Sequence, residues 1–143
     1  MATVEPIREK SDIKKVENVL KKDSKRNLLL LVIGIKSRLR ISDMLSLNVG
    51  DVKGRQYITF KEKKTGKFKK FPINDRLKPM ISKFVKNRPD DEPLFLTIFK
   101  TRLGRVMAYN IIHSACREAG LNIVVETHTM RKTFGHNHYK QNR

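Results

Sequence analysis

Gln56-Tyr57-Ile58-Thr59-Phe60-Lys61, Glu62-Lys63-Lys64-Thr65-Gly66-Lys67 and Phe68-Lys69-Lys70-Phe71-Pro72-Ile73 follow one another without a break. The outer runs are rich in aromatic and β-branched residues, which predicts strands over 56–61 and 68–73. Gly66, in the basic stretch between them, supplies a residue for a tight reversal. The block therefore reads as a β-hairpin. Everything around it carries helical signals, so the fold class is α+β, mainly α-helical, with a small antiparallel sheet.

On the amino-terminal side, Ser11-Asp12 looks like a helix start, with Ile13, Val16, Val19 and Leu20 on one apolar face. Ser24 opens a second helix. Its Leu28–Ile33 stretch is apolar all round, as a buried central helix requires. Ser42 and Asp43 can cap a short third helix carrying Met44, Leu45 and Leu47.

Beyond the hairpin, Asn74 caps a helix whose Leu77, Met80, Ile81, Phe84 and Val85 face inward. Pro79 falls in its first turn or bends it, and the sequence leaves that open. Residues 88–93 form a loop with an acidic triplet, Asp90-Asp91-Glu92, read as a solvated turn. Residues 109–119 form another helix closed by Gly120. Residues 122–126 are short and extended, and a final helix begins near Thr129. There is no repeat, linker or low-complexity segment, so residues 1–143 are expected to form a single domain.

The 143 residues hold 32 Lys and Arg against 14 Asp and Glu, a formal charge of +18. Such an excess opposes compaction and is usually kept for a polyanionic partner. Nucleic acid leads, with an anionic membrane surface second. The longest apolar run, Leu28–Ile33, is far too short to span a bilayer. The start, Met1-Ala2-Thr3-Val4-Glu5-Pro6, shows no secretory signal pattern. Cys116 is the only cysteine, which rules out an internal disulfide and suits a reducing cytoplasm. Between Lys53 and Arg88 there are 13 Lys or Arg and two acids, Glu62 and Asp75. A merely solvated surface would mix its signs, so this block is read as facing nucleic acid.

Three separated places offer cations where the backbone changes direction. Arg40, in Arg38-Leu39-Arg40-Ile41-Ser42-Asp43, precedes a helix start, with Asp43 available as its partner. An arginine fork suits phosphate because it binds two oxygens at once and stays charged. A lysine on the hairpin tip, Lys63-Lys64-Thr65-Gly66-Lys67, can enter a groove and protonate a leaving oxygen. In Thr127-His128-Thr129-Met130-Arg131, Thr127 is a natural N-cap, and His128 and Arg131 share one helical face near free backbone N–H groups.

Taken together and in this order, these segments resemble the catalytic domain of the tyrosine recombinases, the phage-type integrases. Leu39-Arg40-Ile41-Ser42-Asp43-Met44-Leu45-Ser46-Leu47, followed by Asp51-Val52, is similar to the family's first-arginine box. Lys64-Thr65-Gly66-Lys67 with Phe71-Pro72-Ile73 resembles its lysine hairpin. His128-Thr129-Met130-Arg131-Lys132-Thr133-Phe134-Gly135 resembles its His-x-x-Arg box. The resemblance runs from about Pro6 onward. It implies that Arg40 and Arg131 clamp a scissile phosphate, that His128 handles protons, and that Lys64 protonates the departing 5′ oxygen, with Asp43 in support. Lys63, Lys67, Lys69, Lys70 and Lys132 would hold the DNA backbone. It further implies double-stranded DNA as partner, a tetramer as working assembly, no cofactor or metal, and a cytoplasmic protein of bacterial, phage or mobile-element origin.

Family members cleave with a tyrosine that follows a second His or Trp box. Here Arg131 is followed by 12 residues, with Tyr139 the tyrosine nearby. Tyr139 is read as a packing aromatic, and Tyr57 and Tyr109 lie in the wrong contexts. The chain is thus expected to be incomplete at its carboxyl end, to lack an amino-terminal core-binding domain, and to bind DNA without cleaving it alone. Two other readings compete. Metal-dependent nuclease chemistry would need converging ligands, and His113, Cys116, His136 and His138 form no quartet. A non-enzymatic DNA-binding regulator or degenerate integrase explains the charge but not the placement of Arg40, Lys64, His128 and Arg131.

Overall fold

The structure is a computed structural model that describes residues 10–37 and 39–121. Its elements run α1 (Lys10–Asp23), α2 (Lys25–Ser37), α3 (Ile41–Leu45), a 3₁₀ turn (Val49–Asp51), β1 (Tyr57–Lys61), β2 (Phe68–Pro72), α4 (Leu77–Phe84) and α5 (Arg105–Glu118). The α+β class with one antiparallel hairpin is as the sequence predicts. Among the described residues, those up to Ile41 and from Gly104 to Leu121 form one compact unit, and Ser42–Leu103 form a second.

In the first unit, Ser24 is the only residue between α1 and α2. Its backbone N–H closes α1 on Leu20 O at 3.0 Å, while its Oγ accepts the Asn27 N–H at 3.0 Å. One side chain thus ends one helix and caps the next, as expected of serine at this position. Helix α1 packs on both α2 and α5. Val16 and Leu20 of α1 are fully buried, as are Leu30, Leu31 and Ile33 of α2 and Ala108 of α5. Each buried leucine contributes about 1.5–3 kcal/mol relative to exposure, so this face supplies the driving force.

Helix α5 begins four residues before the predicted start, at Arg105, because Gly104 is extended (φ −94°, ψ 167°) and its carbonyl accepts the Ala108 N–H. The added turn exposes Val106 and Met107, so apolar periodicity could not announce it. Its end matches the expectation. Gly120 takes φ +81° and Leu121 N–H reaches back to Cys116 O at 3.0 Å, a left-handed helix stop that glycine accepts without strain. Burial pushes the Cys116 thiol up to about 11, so it stays protonated and unreactive at neutral pH.

The second unit is built around the hairpin. Tyr57 lies opposite Pro72, Ile58 opposite Phe71, Thr59 opposite Lys70, Phe60 opposite Lys69 and Lys61 opposite Phe68. Ile58 is fully buried and Phe60 and Phe71 are half-buried, which marks the core face. The predicted second strand extends one residue too far. Ile73 still donates to Gln56 O at 2.8 Å, but the preceding Pro72 has no N–H to give the ladder.

Asn74 Oδ1 accepts the Leu77 N–H at 2.8 Å, which starts α4. Pro79 is the third residue of α4, so it belongs to the first turn, where a missing N–H costs little. Leu77, Ile81 and Val85 face the core, and Asn87 takes φ 62° as the chain leaves the helix.

Arg88 then organises the following loop. Its guanidinium meets Glu92 Oε1 at 2.5 Å and Pro93 O at 2.6 Å, and lies 5.0 Å from the centre of the Phe84 ring. Asp90 and Asp91 are exposed, as read, whereas Glu92 is committed to Arg88. The backbone of the same loop accepts Val49 N–H at Glu92 O and Gly50 N–H at Asp90 O. A Cβ at Gly50 would stand 3.0 Å from Asp90 Cβ and 3.2 Å from Asp90 O, so a larger residue would press on this loop. No helix among the described residues is long and apolar enough to cross a membrane.

Candidate active site

Arg40 is the last residue of the three-residue step between α2 and α3. The step is tethered by Leu39, which is buried and donates its N–H to Ser37 Oγ at 3.2 Å. Arg40 is half-buried, and its Nε is buried without an acceptor among the described residues. An unmatched buried donor costs about 1–3 kcal/mol, so it marks a place where a ligand oxygen would be welcome.

Helix α3 starts at Ile41 rather than after caps at Ser42 and Asp43. The Asp43 carboxylate is engaged elsewhere. Ile41 and Met44 turn inward at helical spacing, Ser42 O accepts the Ser46 hydroxyl at 2.8 Å, and Asp43 is 2% exposed with a distant partner. Asp43 Oδ1 accepts the backbone N–H of Lys63 at 3.1 Å, across 20 residues of sequence. Sequence reasoning offers Asp43 to Arg40; the bond the structure shows is to the hairpin tip. It fixes the base of the turn that presents Lys64. The other carboxylate oxygen, Oδ2, is buried without a partner among the described residues.

The tip has its own internal bracing. Gly66 N–H reaches Glu62 O at 2.8 Å with Gly66 at φ +72°, and Glu62 N–H reaches Lys67 O at 2.8 Å. The Thr65 hydroxyl binds Glu62 Oε1 at 2.7 Å and accepts the Lys67 N–H at 3.2 Å. Lys63, Lys64 and Lys67 are exposed on this braced turn. Lys69 and Lys70 are exposed on β2. Lys69 Nζ stands 3.7 Å from Glu62, and Lys70 Nζ stands 4.6 Å from the centre of the Tyr57 ring.

Arg102, which the sequence did not single out, locks the other end of α3. Its Nη1 donates to Leu45 O at 2.9 Å and Leu47 O at 3.2 Å, and its Nη2 to Asn48 Oδ1 at 2.6 Å. A cation on the last carbonyls of a helix satisfies acceptors the helix cannot and complements its dipole. No local pattern could reveal this contact, which spans 57 residues.

A cleft of about 400 Å³ runs beside the hairpin, lined among others by Asp43, Ser46, Asp51, Arg55, Thr59 and Phe68. Asp51 Oδ2 holds the Asn48 N–H at 2.8 Å, and Arg55 Nε holds Gly50 O at 2.7 Å. These polar groups serve the chain itself. No group of three or more His, Cys, Asp or Glu side chains converges among the described residues. His113 stacks on Tyr109, with ring centres 5.4 Å apart. His128, Arg131, Lys132 and Tyr139, with the predicted final helix, lie outside the described residues.

The Asp43 clamp is open to direct test. Asp43→Asn keeps an acceptor for Lys63 N–H and should keep its slow hydrogen exchange. Asp43→Ala should release that amide and cost roughly 1–2 kcal/mol of stability. Equal exchange at Lys63 in both variants would show that the carboxylate does not hold the tip.

An arginine before a short helix, and an acid on that helix tied to a basic hairpin, occupy the segments that resemble the integrase boxes. The profile of the Phage integrase family matches residues 8–142, and the chain belongs to that family. It is 38% identical over 143 residues to the probable integrase/recombinase YoeC of Bacillus subtilis (strain 168), covering 99% of this chain and 78% of that protein. It is 27% identical over 128 residues to the tyrosine recombinase XerA of Pyrococcus furiosus, covering 86% of this chain and 44% of that one.

Among solved structures, the fold is similar to that of XerA recombinase, with TM-score 0.79 at 14% identity, over all of this chain and 52% of that one. It is also similar to lambda integrase in a tetramer bound to a Holliday junction, with TM-score 0.72 at 16% identity, over 99% of this chain and 45% of that one. The chain thus spans about three quarters of the Bacillus relative and about half of these others.

Proposed function

We propose that the chain carries most of the phosphate-activating site of a site-specific DNA recombinase, acting on double-stranded DNA in a tetramer. The observation that carries this reading is the Asp43 Oδ1 bond to Lys63 N–H, which ties a lysine turn to the helix that directly follows Arg40. In this reading Arg40 and Arg131 hold the two non-bridging oxygens of the scissile phosphate. They stabilise the charge that builds on five-coordinate phosphorus, work that fixed cations do without reorganisation. A tyrosine oxygen attacks phosphorus and displaces the 5′ oxygen, leaving a 3′-phosphotyrosyl bond. Lys64 gives its proton to that 5′ oxygen, and His128 handles the proton of the nucleophile. Attack by a 5′ hydroxyl reverses the step, so the bond energy is conserved and no nucleotide cofactor is consumed.

Tyr57 sits on β1 and Tyr109 on α5, stacked on His113. Neither is read as the nucleophile, nor is Tyr139. The 143-residue polypeptide is therefore expected to bind duplex DNA and to leave nicked suicide substrates uncleaved. A covalent protein–DNA adduct on a denaturing gel would overturn that part of the reading.

Binding should be strongly salt-dependent, since the affinity comes from phosphate neutralisation. Lys70→Glu tests the hairpin most cleanly, because Lys69 already has Glu62 as a partner. The variant is expected to weaken binding to any duplex by about tenfold and to lower the slope of log K against log salt by about one. An unchanged slope would remove the hairpin from the DNA interface.

A further inference from the structure

Ile98 and Phe99 are the most exposed large apolar side chains among the described residues, at 86% and 81%. They are adjacent and form the tip of a turn over residues 97–101 in the Ser42–Leu103 unit. The turn is not a loose loop. Thr97 N–H reaches Thr101 O at 2.7 Å, Lys100 N–H reaches Thr97 O at 3.0 Å, and the two threonine hydroxyls meet at 2.8 Å. Thr97 Oγ1 also accepts Phe99 N–H at 3.1 Å. Lys100 is held at φ 64°, which a lysine adopts only when its surroundings impose it. Leu96 and Arg102 bridge beneath the turn, and the Arg102 head is anchored on Leu45, Leu47 and Asn48. Two apolar side chains are thus displayed on a rigid post and covered by nothing in their own unit.

We propose that this tip is a wedge that enters a DNA groove and inserts between neighbouring base pairs, kinking the duplex. The proposal rests on the DNA-binding reading above. Charge decides the occupant. Between Glu92 and Gly104 the sequence holds Lys100 and Arg102 and no acid, and Lys100 stands exposed beside the tip. A second copy of a +18 chain would bring like charge to this face, whereas a duplex brings phosphates.

Phosphates give an apolar ring nothing, but the base stack does. Apolar wedges of this kind unstack base steps from the minor groove and bend the duplex. Insertion is cheapest at flexible pyrimidine–purine steps such as TA and CA, so the wedge gives a sequence preference without any base-edge hydrogen bond.

The test uses the whole 143-residue chain, 30-base-pair duplexes labelled at both ends for energy transfer, and the double variant Ile98→Ser/Phe99→Ser. Because both residues are exposed, the variant should melt with the wild type. The wild type should bend a duplex with a central TA step more than one with an A-tract, and netropsin, a minor-groove ligand, should compete. The double variant should bind about tenfold more weakly and lose both bend and TA preference. Its salt slope should be unchanged, because no phosphate contact is removed. Wild-type binding with equal bending by wild type and variant would overturn the wedge while leaving the DNA reading intact. So would a variant that alters only self-association in sedimentation, since that would give the tip to a second copy. Failure of the wild type to bind any duplex would instead sink the DNA reading, and the wedge with it.

Discussion

Arg40→Ala, made in a version of the chain that carries a nucleophilic tyrosine, is expected to slow strand cleavage by about 10²–10³-fold, the usual cost of removing one donor from a developing oxyanion. Duplex binding should change little, because one phosphate contact among many is lost. The effect should fall on the reaction because the Nε of Arg40 is buried and has no acceptor among the described residues, a donor left for a ligand oxygen. Arg40→Lys keeps the charge but not the planar fork, so it should recover only part of the rate. Single-turnover cleavage with saturating DNA separates the two quantities. Loss of cleavage and binding by the same factor would leave Arg40 as one more backbone contact.

Arg88→Ala should produce the largest loss of stability among the polar residues, about 3 kcal/mol. Three kinds of contact vanish together. Glu92 loses its ion pair, the carbonyls of Pro93 and Leu94 lose a donor, and Phe84 loses the guanidinium lying on its ring. Both charged partners are only partly exposed, at 18% and 27%, so solvent cannot fully replace the pair. The effect should spread, because the same loop accepts the Val49 and Gly50 N–H groups. Urea unfolding should show a lower midpoint with an unchanged slope. A loss below about 0.5 kcal/mol would place Arg88 among ordinary surface charges.

Much of the local structure was legible because its cause is local. Ser24, Asn74, Gly66 and Gly120 each stop, start or turn the chain through a bond within a few residues, and each stands where the residue type predicts. The hairpin was readable for the same reason. The errors also have a physical origin. Helix α5 was begun late because its first turn carries Val106 and Met107 outward, against the pattern that periodicity follows. Asp43 was assigned a capping role on local grounds, while its carboxylate is engaged 20 residues away.

Composition and residue order alone determined that this is a strongly basic, mainly helical α+β chain with cations gathered on a hairpin, and they carried the resemblance that family membership bears out. Those properties follow from side-chain chemistry and near-neighbour geometry. Tertiary structure alone decided which groups brace the site: Asp43 on the Lys63 backbone, Arg102 on the end of α3, Arg88 across the loop, and the bare Ile98–Phe99 tip. The first three bonds need a specific donor and acceptor brought within about 3 Å by the fold, and exposure is defined only once everything else has packed.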